Sequence, residues 1–197
     1  MNKTQTTDPL LRLYDAPVGR VEVVDVPEIQ FLMIDGAGDP ATEPSYQLAI
    51  AALFAAGGAL QTPARPLEGL WSIAAGPSDL DDVFARRDEW RWTLLLAQPE
   101  EITEADLAAA LGATRPRADL PNLDAVRLET FHEGRAAQTT HVGPIEQERP
   151  AIDRVERFIA SQGARPRGRH HEIYLSDFRE TPAERLRTII RQPLERI

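Results

Sequence analysis

The 197-residue chain contains no cysteine. Disulfides, a thiol nucleophile and any thiolate metal site are therefore excluded. It also lacks a basic surplus: Asp and Glu total 31 against 22 Lys and Arg, for a net charge of −9. A duplex-binding surface works through excess Lys and Arg that displace counterions, so nucleic acid is not the expected partner. No run approaches the roughly 18 apolar residues of a membrane span. The first eight residues have no apolar signal-peptide core, and a cytoplasmic protein is expected. Aromatics make up only 6% of the chain, so each Trp, Tyr and Phe carries weight in the reading below.

What is present is an ordinary globular balance, 42% apolar and 27% charged, long enough for one domain with a sizeable core. Residues 1–20 are polar apart from Leu10, Leu11 and Leu13 and are expected to lie on the surface. A strand is predicted over Ile29–Ile34, ended by the turn residues Gly36, Gly38 and Pro40. Tyr46, Ile50, Leu53, Gly57 and Leu60 then recur on one face of a 3.6-residue period and predict a helix, weakened near its end by Gly57-Gly58. Leu67–Ala74 and Glu89–Ala97 read as a strand pair joined through Gly76-Pro77-Ser78 and an acidic stretch. The second strand has apolar residues on both parities. A helix over about 103–112 begins at Thr103, with Asp106 in the capping-box position.

Pro116 and Pro121 bracket a connection, after which the order repeats. Val126–Phe131 and Arg135–Val142 read as a hairpin around Glu133-Gly134. A helix with Ile152, Val155, Phe158 and Ile159 on one stripe follows, then a strand Glu172–Ser176. Thr181-Pro182-Ala183-Glu184 reads as a capping box opening a short helix, and a last strand runs near Thr188–Gln192. Gln98-Pro99 and Gln192-Pro193 close corresponding strands. The expectation is an α+β fold: one domain over 21–197, built by tandem duplication of a βαββ module (about 21–120 and 121–197) with pseudo-twofold symmetry.

The strings Phe31-Leu32-Met33-Ile34-Asp35-Gly36, Pro66-Leu67-Glu68-Gly69-Leu70-Trp71, Trp92-Thr93-Leu94 and His170-His171-Glu172-Ile173-Tyr174-Leu175-Ser176-Asp177, with Arg191-Gln192-Pro193, resemble the GyrI-like small-molecule-binding proteins. The resemblance runs from about residue 10 to the C-terminus. It implies two βαββ modules with a ligand cleft between them, and kinship with effector-binding domains of multidrug-sensing activators, whose buried glutamate meets bulky, often cationic aromatic compounds. One branch hydrolyses cyclopropanoid DNA-alkylating compounds, a xenobiotic detoxification. No helix-turn-helix precedes the matching region, so a stand-alone, monomeric member is expected. A gyrase-binding role is a third reading that no residue demands.

On a strand, Glu172 and Tyr174 share one face while Ile173 and Leu175 share the other. Two readings of Glu172 follow: a pocket carboxylate, or a surface residue paired with Arg169 or Arg179. The resemblance favours the pocket, where Glu172 would hold a cation or serve as a general base, with Tyr174 as donor to a carbonyl. Trp71 and Trp92 are the expected walls, with Tyr46, Phe131 and His141 as further ligand-binding candidates; Trp90 reads as packing. A metal site is not expected, because His170 and His171 point to opposite faces and no helical pair of histidines exists. Gly36-Ala37-Gly38 lacks the residues of a phosphate loop, the cluster Asp79, Asp81, Asp82 reads as a solvated loop, and no cofactor is expected.

Overall fold

The computed structural model describes residues 9–73, 80–116 and 119–197. The expected Gly76-Pro77-Ser78 turn, Asp79 and residues 1–8 lie outside that description. The fold is mixed α+β: seven β-strands and four α-helices among the described residues. The chain divides into two compact units that interleave in sequence. A central unit comprises Pro27–His132 and Arg169–Glu172; a terminal unit comprises residues 9–26, Glu133–Gly168 and Ile173–Ile197.

The central unit contains most of β1 (Glu22–Ala37), followed by α1 (Pro44–Leu60), β2 (Leu67–Ile73), the short α2 (Leu80–Ala85), β3 (Trp90–Gln98) and α3 (Glu104–Thr114). Strand β3 lies between β1 and β2. It pairs antiparallel with β1, Asp35 opposite Thr93 and Gly36 opposite Trp92, and antiparallel with β2, Trp71 opposite Trp92 and Glu68 opposite Leu95. Both faces are covered, and from Trp92 to Gln98 every residue is buried, as the apolar residues on both parities require. Helix α1 buries Tyr46, Ile50, Leu53 and Gly57 of the periodic stripe read from the sequence, and Leu60 at its end is partly exposed. The glycine pair does not fray it: a Cβ at Gly57 would come within 2.7 Å of Leu96 Cδ2, so the missing side chain lets the helix settle on β3. Helix α3 begins as expected, Asp106 N–H donating to Thr103 Oγ1 and Thr103 N–H to Asp106 Oδ2, a reciprocal capping box.

Strand β1 is longer than the pattern 29–34 suggested, running on to Ala37. Gly36 therefore lies inside the strand, and the turn belongs to Gly38, at φ 93, and Asp39. Asp39 Oδ1 accepts from the Ala41 N–H at 3.0 Å, its carbonyl accepts from Glu43 N–H at 2.8 Å, and Pro44 opens α1.

The terminal unit contains the C-terminal part of β4 (Arg127–Val142), then α4 (Arg149–Ser161), β5 (Ala164–Pro166), the end of β6 (His170–Tyr174) and β7 (Arg187–Arg196). Strand β7 pairs antiparallel with both β4 and β5. Helix α4 buries Ala151, Ile152, Val155 and Ile159 and packs on β5 and β7. Residues 9–20 are fastened to β4: Thr140 Oγ1 donates to Ala16 O at 2.6 Å, Thr139 Oγ1 to Arg20 O at 2.7 Å, and Val18 bridges Thr140 in parallel. Leu13 and Ala16 are buried there, and Ile173 and Leu175 pack with Ala16, Tyr14 and Ile189.

Three expectations need correction. The hairpin around Glu133-Gly134 does not form; β4 runs as one strand through both residues, with Gly134 at φ 72. The strand expected at 172–176 starts two residues earlier and ends at Tyr174. Thr181-Pro182-Ala183-Glu184 leads into a single 3-10 turn, Ala183–Arg185, without a side-chain cap; Leu186 leaves it extended and feeds directly into β7, so the turn has no room to lengthen.

Candidate functional site

Alternation along β6 is strict: His171 and Ile173 are buried, while His170, Glu172 and Tyr174 are partly exposed. The two histidines thus point to opposite faces, as their adjacency demands. In the central unit, β6 neighbours β2. His171 Nε2 stands 3.0 Å from Glu68 Oε2, with both side chains almost wholly buried. That contact fixes the relation between the strands. His171 and Glu68 share one face, so His170 and Glu172 share the opposite face with Leu67, Gly69 and Trp71.

That second face carries an aromatic cluster. Tyr46, from α1, lies with its ring centroid 6.0 Å from Trp71 and 5.1 Å from Trp92, edge-on to the latter. Trp71 meets Trp90 edge-on at 5.6 Å. The members differ in what they leave free. Trp92 is 2% exposed and lies against the bare Cα of Gly36. Trp90 is committed: its Nε1 donates to Val83 O at 2.8 Å, and Arg87 stacks 4.8 Å from its ring while bonded to Asp39. Trp71 is partly exposed, as Trp90 is, but its Nε1 has no hydrogen-bond partner among the described residues, and Gly69, two residues before it on the same face, adds no side chain.

Glu172, 13% exposed at its side chain, has Oε1 3.4 Å from His170 Nε2, whose side chain is 21% exposed. Arg169 and Arg179, the surface partners considered for Glu172, have other engagements. Arg169 Nη1 donates to Thr93 Oγ1 at 2.6 Å, and Arg179 closes on Asp177 at 2.7 Å. Thr93 in turn donates to Asp35, which pairs with Arg127 at 2.9 Å. Burial lowers the pKa of the Arg169 guanidinium, opposed by the charge of Asp35.

The structure thus gathers Tyr46, Trp71, Trp92 and Glu172 in the central unit. Phe131 lies there too, half-buried on β4, but makes no ring contact among the described residues. Tyr174 and His141 belong to the terminal unit, where His141 Nε2 lies 3.0 Å from Pro144 O. His170, with Nε2 3.4 Å from Glu172 Oε1, reads from the sequence only as a metal-ligand candidate; the signal for its place is the i, i+2 spacing on a strand. No group of three or more His, Asp or Glu residues among the described residues could hold a metal ion, and no described helix is long and apolar enough to cross a membrane.

The comparisons with known proteins bear on the fold and the family. An uncharacterized conserved protein from Listeria innocua is 35% identical, with 93% of this chain and 96% of that chain covered at a TM-score of 0.83. A hydrolase from Listeria innocua is 33% identical over 94% of this chain and 97% of its own, at a TM-score of 0.79. The C-terminal domain of EcmrR, 11% identical, covers 90% of this chain and 98% of its own at a TM-score of 0.61, a likeness of fold alone. No curated protein matches the chain. The model of the GyrI-like small molecule binding domain matches residues 20–195, nearly the whole chain, and the protein belongs to that family.

Proposed function

We propose that the protein binds bulky, flat, hydrophobic or cationic aromatic compounds on the face of β2 and β6 that bears Trp71 and Glu172. The observation that carries this reading is the buried His171–Glu68 contact, which puts Glu172 on the same side as the aromatic cluster. Trp71 would offer stacking area and Tyr46 and Trp92 would back it. Glu172 would neutralise a cation or accept from a donor, offsetting the cost of a carboxylate held largely out of water. Phe131, Tyr174 and His141 are kept as secondary candidates on the strength of the sequence pattern. The order β1-α1-β2-β3 followed by β4, α4 and further strands supports descent from one duplicated βαββ unit. A rhodamine-type dye tests the binding reading. Saturable polarisation with native protein, weakened about tenfold in Glu172→Gln as loss of a charged partner implies, is expected. No saturable binding by the native chain refutes it.

A second reading is hydrolysis of a cyclopropane conjugated to a dienone, favoured by the hydrolase from Listeria innocua that matches 94% of this chain. Glu172 would take a proton from water as its oxygen bonds to the ring carbon. The carbon–carbon bond then breaks, its electron pair passes to the dienone, and the carbonyl oxygen gains a proton, with Tyr174 as the proposed donor. Mass analysis separates the readings: gain of one water, lost in Glu172→Gln and slowed in Tyr174→Phe, marks turnover. Bound but unchanged compound marks a receptor.

A further inference from the structure

The face of β2 and β6 carries more than a carboxylate. His170 and Glu172 stand two residues apart on one strand, with His170 Nε2 3.4 Å from Glu172 Oε1. A neighbouring carboxylate favours the imidazole tautomer that carries its proton on Nε2, which makes that atom a donor. The contact with Glu172 is close but not directed as a hydrogen bond. Among the described residues His170 Nε2 is buried without a hydrogen-bond partner. Trp71 Nε1, a donor that can never accept, is also buried and unmet on this face. Trp92 Nε1 is unmet as well, but its ring is closed in against β1 and Tyr46.

A buried donor left unmet costs about 1–3 kcal/mol, and most buried polar atoms in folded proteins find a partner. Two unmet donors on the strand face that bears a carboxylate, both on partly exposed side chains, mark a place where a partner arrives from outside the chain. We infer that His170 is a second ligand-contacting group of this face and that the preferred ligand is a flat aromatic compound bearing a hydrogen-bond acceptor, such as a ring carbonyl. The inference rests on the reading of this face as the ligand site and specifies its chemistry. A bare quaternary cation is attracted by the charge of Glu172 but offers no acceptor to His170 Nε2 or Trp71 Nε1. A carbonyl compound satisfies a donor whether or not it carries charge.

Two fluorescent probes of nearly equal shape separate these cases: N-methylacridone, neutral with a carbonyl, and N-methylacridinium, a cation without an acceptor. Both are titrated by polarisation against the full chain and against His170→Phe and His170→Gln, with melting curves to verify folding. His170→Leu replaces the Phe variant if that one does not fold. Expected is a loss of about tenfold for the acridone in His170→Phe, the size of one buried hydrogen bond. The acridinium changes less than about twofold or binds slightly tighter, and the amide N–H of His170→Gln keeps most of the acridone affinity. Equal losses for both probes, or an unchanged acridone affinity in His170→Phe, overturn the role of His170 and leave the binding face standing. If native protein binds neither probe, the face itself is not the site and the inference falls with it.

Discussion

Replacing Gly36 by alanine adds one methyl group at a place where the ring of Trp92 already stands. The new Cβ would lie 2.0 Å from Trp92 Cη2, 2.1 Å from Cζ2 and 2.5 Å from Cζ3, whereas carbon atoms settle at about 3.5–4.0 Å. The obstacle is a rigid indole, 2% exposed and edge-on to Tyr46, not the far end of a flexible side chain. Gly36 does not sit in the left-handed region, so no backbone strain offsets or adds to the clash. Overpacking of this kind costs about 1–3 kcal/mol and more where the neighbour cannot turn aside; we expect about 3 kcal/mol for Gly36→Ala. All three tryptophans lie in the central unit, so urea unfolding followed by their emission reports that unit. The control is Trp92→Leu, which opens the space. In that background Gly36→Ala should cost less than about 1 kcal/mol, and the difference between the two costs measures the coupling. A Gly36→Ala variant within about 0.5 kcal/mol of native would refute the packing argument. Equal costs in the two backgrounds would show that the glycine is needed for some other reason.

In the terminal unit, Arg191 reaches Glu133 at 3.2 Å, Gln138 at 2.9 Å and Leu13 O at 2.6 Å, all buried. Arg191→Met strips the guanidinium from a Glu133 carboxylate that is 1% exposed and should destabilise by about 3–5 kcal/mol in urea unfolding; Arg191→Met with Glu133→Leu should recover much of that, and a double variant no better than the single one counts against the charge argument. Thr103→Ala removes the reciprocal cap of α3 and should cost about 1 kcal/mol, checked by the same assay, with an unchanged midpoint as the contrary result. Asp177 titrates at about 2 because the Arg179 side chain, and then its backbone N–H, bond the carboxylate. Its folded pKa is depressed, so the stabilisation it gives is complete above the unfolded value of about 4 and is lost as pH falls through about 2. Carboxyl NMR should show Asp177 moving upward in Arg179→Ala, and no movement would mean that the backbone bond alone sets the value.

How far the sequence could be read depended on the range of the interaction. The α3 cap spans four residues, Thr103 to Asp106, and is legible because both partners lie within one turn. The α1 stripe is legible for the same reason, since a 3.6-residue period is local. Gly36 was not: Gly36-Ala37-Gly38 reads as a turn, and only the pairing of Gly36 with Trp92 across the sheet reveals that one glycine serves packing and the other serves φ. Glu133-Gly134 misled in the same way. A glycine at positive φ marks a hairpin turn or an in-strand kink equally well, and what decides is whether the flanking residues pair with each other. At the candidate site, strand parity set Glu172 apart from Ile173, but nothing local told which residues of β2 it faces. That needed the His171–Glu68 contact, between strands far apart in sequence.

The same contact explains how a five-residue strand can keep its side chains on fixed faces. Register on a strand is a two-way choice, because a slip of one residue moves every side chain to the opposite face. In β6 such a slip would bury His170 and Glu172 and turn His171 and Ile173 outward. Apolar burial alone resists this weakly, since Ile173 is the only aliphatic residue of the strand. The contact of His171 with Glu68 resists it more: both side chains are about 1% exposed, and a slip would carry the imidazole out of its buried place and leave a buried carboxylate without that neighbour, at a cost of about 1–3 kcal/mol. The buried pair is therefore less a source of net stability than a lock on register. Its consequence appears on the other face, where His170 and Glu172 share the side that bears Trp71. Replacing His171 by leucine and Glu68 by methionine together should keep much of the stability while loosening ligand affinity. Unfolding midpoint and dye polarisation, measured on one preparation, check the two halves of that statement separately. Affinity that survives at native strength in a well-folded double variant would mean that register is set elsewhere.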